Sequence, residues 1–426
     1  MEGIPMELED YIQSTHEVFP DKGIQNTRIF ISQIGDINTY KTFKRKKSMK
    51  VPDTVTHLSG AGTGSQPQHA AFLSKMEALE RLANSLPVAE TIVDTAENLG
   101  EKAIDLSLFP KLATYEIGFN QNFKENGILK WVKSINISTN EIKYIPQVYI
   151  NLFTQKDYDG ENITNPISTG CAIHTNYADA ILNGLYEVIE RDGIALSWLL
   201  KTPMDRLKTN GLMDKINVFD NNFIGETQLF DASTIKGVHT FCLRARTNYA
   251  ERLRNIFMFS THVDPNTALD KINKELISVL YSLSSEPNSK DQDIMKMDYQ
   301  NFVGVSESAL YMGHPEQDHE FDFLNQTNEK DFPENVNSFA NATEELKHLI
   351  QLLKEQGHDI NVTDLTNREC LENNLKAVMV TVPTLQPISF VHRARYLDSD
   401  RIRNYAKEIY GEFREDMINH KPLPFS

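Results

Sequence analysis

A short acidic pattern, Glu-x-x-Glu-Arg, occurs twice in this 426-residue chain and is the feature whose residue types are best suited to chemistry. One copy spans Glu77 to Arg81 and the other spans Glu187 to Arg191. Residues three apart share a helical face, so each copy sets two carboxylates side by side. Like charges repel at that spacing, and burial by flanking apolar residues increases the penalty. A divalent cation bound between them would turn this repulsion into attraction.

The helix predicted around the second copy carries a narrow polar stripe on an otherwise apolar surface. At about 100° per residue, four polar residues fall within a sector of roughly 80°. They are Asp179, Asn183, Glu187 and Glu190. A further predicted helix has a smaller stripe of Lys271, Glu275 and Ser278. Carboxylates that point inward from three buried helices suit two hard, oxygen-preferring cations over a triphosphate.

A solvated helix surface is the alternative explanation for one isolated Glu-x-x-Glu-Arg. Its repetition, the apolar flanks and the third acidic helix favour a functional site. The glycine-rich run from Gly60 to Gly64 precedes the first acidic helix and fits a phosphate-binding turn and a flexible loop equally well. No GxxxxGK[ST] sequence occurs, which excludes a P-loop of that type.

The overall composition limits the class of protein. A formal net charge of -16 argues against nucleic acid as the main partner, since phosphate binding needs a cationic surface. The acidic start lacks the features of a secretory signal, and no apolar run is long enough to span a bilayer. Three separated cysteines without CxxC spacing predict reduced thiols in the core. We therefore expect a soluble, cytoplasmic protein without a membrane partner.

The elements that must position the acidic residues alternate irregularly along the chain, which predicts an α+β (mixed α/β) enzyme. Strand-like runs occur at Thr27–Ile31, Ile145–Ile150, Phe241–Arg244, Ile256–Phe259 and Ala377–Val382. Helical periodicity occurs at Gln68–Asn84, Tyr177–Leu200, Thr267–Leu283, Glu344–Glu355 and Arg401–Phe413. The polar stretches Ser284–Asp298 and Glu316–Asn337 predict surface loops or insertions.

Several ordered segments resemble the YcaO family. Gly62–Arg81 is similar to the family's GKG...EAxER segment, and Ser168–Asp192 is similar to its SNGxAxGxxxEEAIxxALxEVIERD segment. Asp264–Glu275, Val362–Thr366 and Pro383–Phe390 resemble its third helix, DLT strand end and PGLxPxxF loop. The resemblance implies a YcaO fold, with β-sheets and helices around a central ATP and Mg²⁺ site. It also predicts one domain over residues 1–426, with an N-terminal portion to residue 60, an ATP-binding core over about 60–400 and a tail over 414–426.

The resemblance also implies roles for individual residues. By position, Glu77, Glu187 and Glu275 would serve one magnesium ion, and Glu80, Glu190 and Asp179 the other. Arg191 and Lys271 would lie near phosphate. The remaining expected nucleotide contacts are Gly62, Gly64, Ser74 and Asn183. Thr63 stands where the family usually has Lys, and Ser278 stands where it often has Gln.

The C-terminal sequence HKPLPFS resembles the Pro-rich tail of the azoline-forming members, which in that family reaches the active site. This assigns catalytic positions to Pro422, Pro424 and Ser426, in a stretch that polyproline geometry would stiffen. An unstructured tail is the alternative.

The implied activity is that of a stand-alone, ATP-dependent cyclodehydratase of the microcin and streptolysin type. It would phosphorylate backbone amides of a ribosomally made precursor peptide and convert Cys, Ser and Thr to thiazolines and oxazolines. The implied partners are the precursor, an E1-like leader-binding protein and a flavin-dependent dehydrogenase, and a homodimer within that complex is allowed. Thioamide formation, ribosomal protein modification and an inactive scaffolding role are the alternatives.

Overall fold

Three β-sheets form the frame of the protein in the computed structural model, which describes residues 12–18, 27–35, 58–86, 90–117, 126–154, 156–209, 224–248, 252–325, 327–334 and 337–425. The strands in chain order are β1 (Ile12–Val18), β2 (Arg28–Ile34), β3 (Ser59–Gly64), β4 (Thr91–Asp94), β5 (Leu129–Asn136), β6 (Glu141–Pro146), β7 (Cys171–His174), β8 (Asp205–Leu207), β9 (Ile224–Asp231), β10 (His239–Thr247), β11 (Asn255–His262), β12 (Glu329–Lys330), β13 (Asn361–Asp364) and β14 (Lys376–Thr381).

The helices cover the faces of these sheets. In chain order they are α1 (Pro67–Ser85), α2 (Ala96–Leu99), α3 (Thr114–Ile117), α4 (Tyr177–Leu199), α5 (Pro265–Ser284), α6 (Asn288–Lys296), α7 (Val305–Gly313), α8 (Ala342–Glu355), α9 (Arg368–Glu372) and α10 (Asp400–Tyr410). The mixed helix and strand content confirms the predicted fold class. No helix in the described ranges is both long and apolar enough to cross a membrane.

Each of the three acidic helices packs mainly on a different sheet of this frame. The first sheet has the order β1-β2-β3, and α1 packs on β2 and β3. The second sheet has the order β4-β5-β13-β14-β7, with β6 paired to β5, and the third has the order β11-β10-β9-β8-β12. Helix α4 contacts β14 and β7 of the second sheet and β11 and β10 of the third. Helix α5 packs on β11 and β10 and reaches β3, so the fold brings the three helices together.

Local sequence signals explain where these helices begin. Pro67 and Pro265 occupy the first turns of α1 and α5, where a missing backbone N–H costs nothing. The Asp264 carboxylate caps α5 by accepting hydrogen bonds from two backbone amides. Asn176 caps α4, accepting a 3.0 Å hydrogen bond from the Asp179 amide. These caps fix the positions of the acidic residues further along each helix.

The glycine run before α1 forms strand β3, so the prediction of a turn or flexible loop is wrong. Gly60 and Gly62 lie directly against the backbone of α1. A Cβ on Gly62 would come within 2.0 Å of the Ala70 carbonyl oxygen, and one on Gly60 within 2.4 Å of the Ser74 carbonyl oxygen. The absence of side chains therefore serves a close contact between strand and helix.

Other predicted elements differ from the structure in detail. The strand predicted at Ile145–Ile150 ends at Pro146 and continues as a 3₁₀ turn over Gln147–Tyr149. Most of the predicted loop at Ser284–Asp298 is helix α6. The start of the predicted loop at Glu316–Asn337 is helical, because Phe321 and Leu324 are buried in the core there.

We expect Gly62→Ala to destabilise the protein by at least about 2 kcal/mol, because its Cβ would overlap the α1 backbone. Urea unfolding measures the free-energy change. Gly64→Ala is the matched control, since its Cβ would meet the nearest atom, His69 Cδ2, at an ordinary 3.5 Å. Equal stability of the two variants would contradict the close strand–helix contact.

Candidate active site

Glu77 of α1 is held by the free edge of β3. The Ala61 amide donates a 2.8 Å hydrogen bond to Glu77 Oε2, and Arg81 Nη2 donates a 2.6 Å hydrogen bond to Glu77 Oε1. Arg81 also donates to the Ser59 carbonyl oxygen at 2.7 Å. The strand edge and the arginine of the motif thus fix one carboxylate of the first acidic pair.

Glu187 of α4 is held in a closely similar way. The Gly170 amide donates a 3.0 Å hydrogen bond to Glu187 Oε2, and Arg191 Nη2 lies 3.3 Å from Glu187 Oε1. Arg191 Nη1 also lies 3.9 Å from Glu190 Oε1. In both motifs the first glutamate therefore accepts from a backbone amide and pairs with the arginine four residues later.

The glutamates of the three helices influence one another electrostatically. Burial raises the pKa of Glu80 well above its usual value, and the charges of Glu187 and Glu77 raise it further. Burial, followed by the charges of Glu275 and Glu187, likewise raises the pKa of Glu190. These interactions join α1 to α4 and α4 to α5, so the predicted acidic residues form one group.

Glu275 of α5 completes this group. It keeps an exposed surface, but the surrounding protein removes enough hydration to raise its pKa to about 7. The positive charges of Arg191 and Lys271 oppose the increase, whereas the negative charges of Glu187 and Glu77 add to it. A set of carboxylates whose charges repel in this way gains most from a divalent cation.

These carboxylates fit magnesium shared with phosphate better than a closed metal cage. Within the ranges that the structure describes, no three His, Cys, Asp or Glu side chains form a group that could hold a metal ion by themselves. Mg²⁺ commonly takes one or two protein carboxylates together with substrate phosphates and waters. The oxygen donors present therefore suit Mg²⁺ that is bound together with a nucleotide.

Asp179 lies away from the other acids, so the structure does not bring it into the acidic group. It is in the first turn of α4, and eight residues separate it from Glu187, roughly 12 Å along a helix. Its Oδ2 accepts a 2.6 Å hydrogen bond from Asn176 Nδ2 and lies 3.5 Å from His174 Nδ1. Asn183 is exposed on the same helix, one turn before Glu187.

Ser74 faces the first sheet, and Gly62, which is part of that sheet, faces α1, so the structure does not bring either residue to the acidic group. Ser74 is fully buried, and its hydroxyl pairs with Ser32 Oγ at 2.7 Å and donates to the Ala71 carbonyl oxygen at 2.8 Å. The Gly62 Cα faces the α1 backbone. Gly64 is a buried residue at the end of β3.

Thr63 and Ser278 contact each other across the space between β3 and α5. Their hydroxyl groups form a direct, short hydrogen bond. Both residues differ from those that are usual in the family, and in the structure these two positions are in direct contact. A pair of small hydroxyl side chains therefore links the first sheet to the third acidic helix.

Lys271 lies beside a cluster of residues that come from separate parts of the chain and that motif spacing did not predict. Its Nζ is 5.6 Å from the centre of the Tyr186 ring, and that ring stacks on His262 at 4.5 Å. The Tyr186 hydroxyl donates a 2.5 Å hydrogen bond to Glu345 Oε1, and His262 Nε2 lies 3.3 Å from the same oxygen. Burial and the charge of Lys271 lower the pKa of His262 to about 4, so the ring is neutral. The cluster positions Lys271 through the face of the tyrosine ring.

The Pro-containing tail docks along the second half of α4. Asn419 Nδ2 donates to the Trp198 carbonyl oxygen, and Trp198 Nε1 donates to the Lys421 carbonyl oxygen, both at 3.1 Å. Pro422 is buried, and Phe425 is only 3% exposed. The Arg191 guanidinium carbon lies 4.7 Å from the centre of the Phe425 ring. The tail thus reaches the arginine of the second motif, while Ser426 lies outside the described residues.

Asp192 is a positioning residue that motif reasoning did not single out. It is fully buried, forms an ion pair with Arg401 Nη2 at 2.7 Å, and accepts a 2.6 Å hydrogen bond from Thr234 Oγ1. It also accepts a 2.8 Å hydrogen bond from the Gln386 amide. Asp192 therefore ties the loop after β14 to the helix that carries Glu187 and Glu190. The sequence signal that could have identified Asp192 is its position directly after Arg191 of the second motif.

In the absence of metal and nucleotide, we expect Glu275→Gln to raise the melting temperature relative to wild type by a few degrees at pH 8 but hardly at pH 4. The native carboxyl has a pKa of about 7 against about 4.5 when unfolded, so the native state binds more protons within that window. Wild-type stability should therefore fall as the pH rises through it. Other groups, such as His262, titrate in both proteins and cancel in the difference. A difference in melting temperature between variant and wild type that is the same at every pH would contradict the raised pKa of Glu275.

The family is identified by a model described as YcaO cyclodehydratase, ATP- and Mg²⁺-binding, which matches residues 61–386. No curated protein sequence matches the chain. Solved structures share the fold at low sequence identity. A heterocyclase in complex with substrate and cofactor has a TM-score of 0.74 and 16% identity, over 98% of this chain and 57% of its own. The present chain thus spans little more than half of that heterocyclase.

Two further structures are matched over most of their own length and over most of this chain. YcaO from Methanopyrus kandleri, bound with AMPPCP and Mg²⁺, has a TM-score of 0.64 and 16% identity, over 90% of this chain and 89% of its own. The E. coli microcin synthetase McbBCD complex with pro-MccB17 bound gives a TM-score of 0.59 and 17% identity, over 97% and 96%. The family description also confirms the predicted cofactors, ATP and Mg²⁺. Because the family model matches well over half of the sequence, the chain belongs to the YcaO cyclodehydratase family.

Proposed function

We propose that this protein is an ATP-dependent cyclodehydratase subunit that forms thiazolines and oxazolines from Cys, Ser and Thr of a ribosomally made precursor peptide. The observation that carries the proposal is the convergence of the acidic group of α1, α4 and α5 with the docked tail at Arg191. The acidic group supplies carboxylate oxygens that can bind Mg²⁺ together with a nucleotide. The Pro-containing tail beside them supports ring formation over other uses of the same fold.

The carboxylates are suited to hold two magnesium ions that also contact phosphate oxygens. Glu77, Glu187 and Glu275 would contribute to one site and Glu80 and Glu190 to the other, with phosphate and water oxygens completing the coordination of each ion. ATP, when bound, supplies the phosphoryl group that makes the amide oxygen a good leaving group. In ring formation the substrate thiol or hydroxyl adds to the preceding amide carbon, and that oxygen leaves as phosphate, so the peptide loses one water per ring.

Arg191 and Lys271 supply positive charge on two sides of the carboxylates. The Arg191 guanidinium pairs with Glu187 on one side and lies against the Phe425 ring on the other, which restricts its orientation. Lys271 lies against the Tyr186 ring. Positioned cations of this kind can stabilise negative charge that develops during phosphoryl transfer without reorganising.

The proposed partners follow from the function and from the likeness to a synthetase that is a complex with a bound pro-peptide. They are a Cys/Ser/Thr/Gly-rich precursor, an E1-like protein that binds its leader and a flavin-dependent dehydrogenase that oxidises azolines. We also propose that residues 1–426 act as one YcaO domain in the cytoplasm, where ATP is available.

The direct test combines the purified chain with the proposed partner proteins and precursor peptide. With ATP and Mg²⁺, we expect the precursor to lose 18 Da, one water, per ring, as measured by mass spectrometry. An unchanged mass of the precursor despite ATP binding would contradict cyclodehydratase activity and favour a scaffolding role for this subunit. A gain of sulfur in place of oxygen, in the presence of sulfide, would indicate thioamide formation.

We expect Glu190→Gln to weaken Mg-ATP binding at least tenfold, because it removes a proposed magnesium ligand. Isothermal titration measures the affinity. Asp179→Asn is the matched control, because this acid lies on the same helix but away from the others. Equal affinities of the two variants would contradict the assignment of the carboxylates.

We expect Phe425→Leu to lower the dehydration rate roughly three- to thirtyfold while leaving Mg-ATP affinity within about twofold. The leucine keeps apolar bulk but loses the attraction between the aromatic ring and Arg191, worth about 0.5–2 kcal/mol. Single-turnover kinetics and isothermal titration separate the two effects. An unchanged rate would show that the ring does not position Arg191 for the reaction.

A further inference from the structure

A small, mostly apolar cavity of about 100 Å³ lies behind the second acidic motif. Its apolar wall includes Ile167, Val188, Val382 and Leu385. Arg191 lines the same cavity and is the single charged residue among those that line it, all of which fall in the described ranges. Apolar cavities with a few convergent polar groups are the usual form of a binding pocket.

Three residues that line this cavity carry buried side-chain polar atoms without hydrogen-bond partners. These atoms are Gln386 Oε1, Thr381 Oγ1, Arg191 Nε and Arg191 Nη1. Buried polar groups are nearly always paired, and leaving one unpaired costs about 1–3 kcal/mol. This wall therefore holds both acceptors and donors that a ligand with an amide group could satisfy.

The orientation of Gln386 is fixed by its other contacts. The residue is 1% exposed, and its Nε2 donates to the carbonyl oxygens of Tyr396 at 3.1 Å and Arg395 at 3.3 Å. Carbonyl oxygens only accept, so these contacts identify the nitrogen and leave Oε1 as the unpaired acceptor. Asp192 holds the Gln386 backbone through its 2.8 Å hydrogen bond. The acceptor is thus preorganised.

The cavity adjoins the proposed magnesium ligands on the same turn of α4. Val188 and Arg191 line it, and in sequence they directly follow Glu187 and Glu190. Thr169 also lines it, and the next residue, Gly170, donates its amide to Glu187. A group in the cavity therefore lies next to the carboxylates without occupying the space where they would meet metal and phosphate.

A larger polar cleft of about 550 Å³ lies beside this cavity. Phe109 and Pro110 line both spaces, and the consecutive residues Thr384 and Leu385 line the cleft and the cavity respectively. The cleft is bordered by His358 and by charged residues that include Arg401 and Arg403. A wide polar entrance next to a narrow apolar pocket matches an extended peptide that inserts one residue.

We propose that the cavity binds an uncharged residue of the substrate peptide adjacent to the amide that is activated, with the rest of the peptide in the polar cleft. This rests on the proposed function. The inserted residue's backbone carbonyl accepts from Arg191 and its N–H donates to Gln386 Oε1. A charged side chain is excluded because the apolar wall would strip its hydration, and because Arg191, the charged residue of that wall, would repel a cation and already pairs with Glu187.

Ile167→Trp tests the proposal by filling the cavity from a half-buried loop position. The substrate is the Cys/Ser/Thr/Gly-rich precursor of the proposed function, assayed with the full partner complex. We expect its KM to rise at least tenfold, with the affinity for Mg-AMPPCP within twofold of wild type. Thr381→Val, which removes only the unpaired hydroxyl, should change the KM in the same direction by a smaller factor.

Ile142→Trp is the matched control, because it makes the same substitution on the exposed side of β6, where Ile142 is 52% exposed. An unchanged KM in Ile167→Trp would overturn the proposal. Weakened Mg-AMPPCP binding with an unchanged peptide KM would also overturn it, since the cavity would then hold part of the nucleotide.

Photo-crosslinking separates this inference from the proposed reaction, because it needs binding alone. A precursor with photoleucine next to each Cys, Ser or Thr in turn should crosslink to residues of the cavity wall in the wild type and not in Ile167→Trp. Crosslinking without any loss of water would refute ring formation and keep the peptide pocket. Loss of water without crosslinking to the wall would refute the pocket and keep the reaction.

Discussion

The structure depends on holding like charges together on three helices that belong to different parts of the frame. Two backbone amides, those of Ala61 and Gly170, point at the first glutamate of each motif and supply fixed partial positive charge. Two arginines, Arg81 and Arg191, neutralise the same glutamates from one helical turn away. These four contacts reduce the repulsion that would otherwise separate the helices, while the second glutamates keep strongly raised pKa values.

The frame around α4 is built to keep this arrangement rigid. The helix lies between two sheets, and the fully buried Asp192 joins it to α10 through Arg401 and to the loop after β14 through the Gln386 amide. A buried ion pair contributes little net stability unless its remaining hydrogen bonds are satisfied, and here Thr234 satisfies one more. Asp192 therefore joins the helix that carries the acids to the loop that lines the cavity, and the docked tail is held to the same helix through Trp198.

The sequence was sufficient to predict the three acidic helices and their grouping, because apolar periodicity and residue spacing determine which residues share a helical face. It was insufficient for features that depend on which neighbour a face meets. Ser74 lies on the acidic helix α1, but on the side turned to Ser32. The Gly60–Gly64 run could be a loop or a close-packed strand, and only the backbone of α1 decides between them. The pairing of Thr63 with Ser278 joins residues that are far apart in the chain, which one sequence cannot show.

The contact between Arg191 and Phe425 also determines when Arg191 can acquire its full set of neighbours during synthesis. Ribosomes add about 5–20 residues per second, so the motif on α4 exists for many seconds before its aromatic partner is made. A nascent chain can fold its acidic helices early, yet the guanidinium gains its aromatic neighbour only after the chain has been extended to Phe425. Products that end before Phe425 would therefore retain the carboxylates of the proposed magnesium site but lack the ring that lies against Arg191.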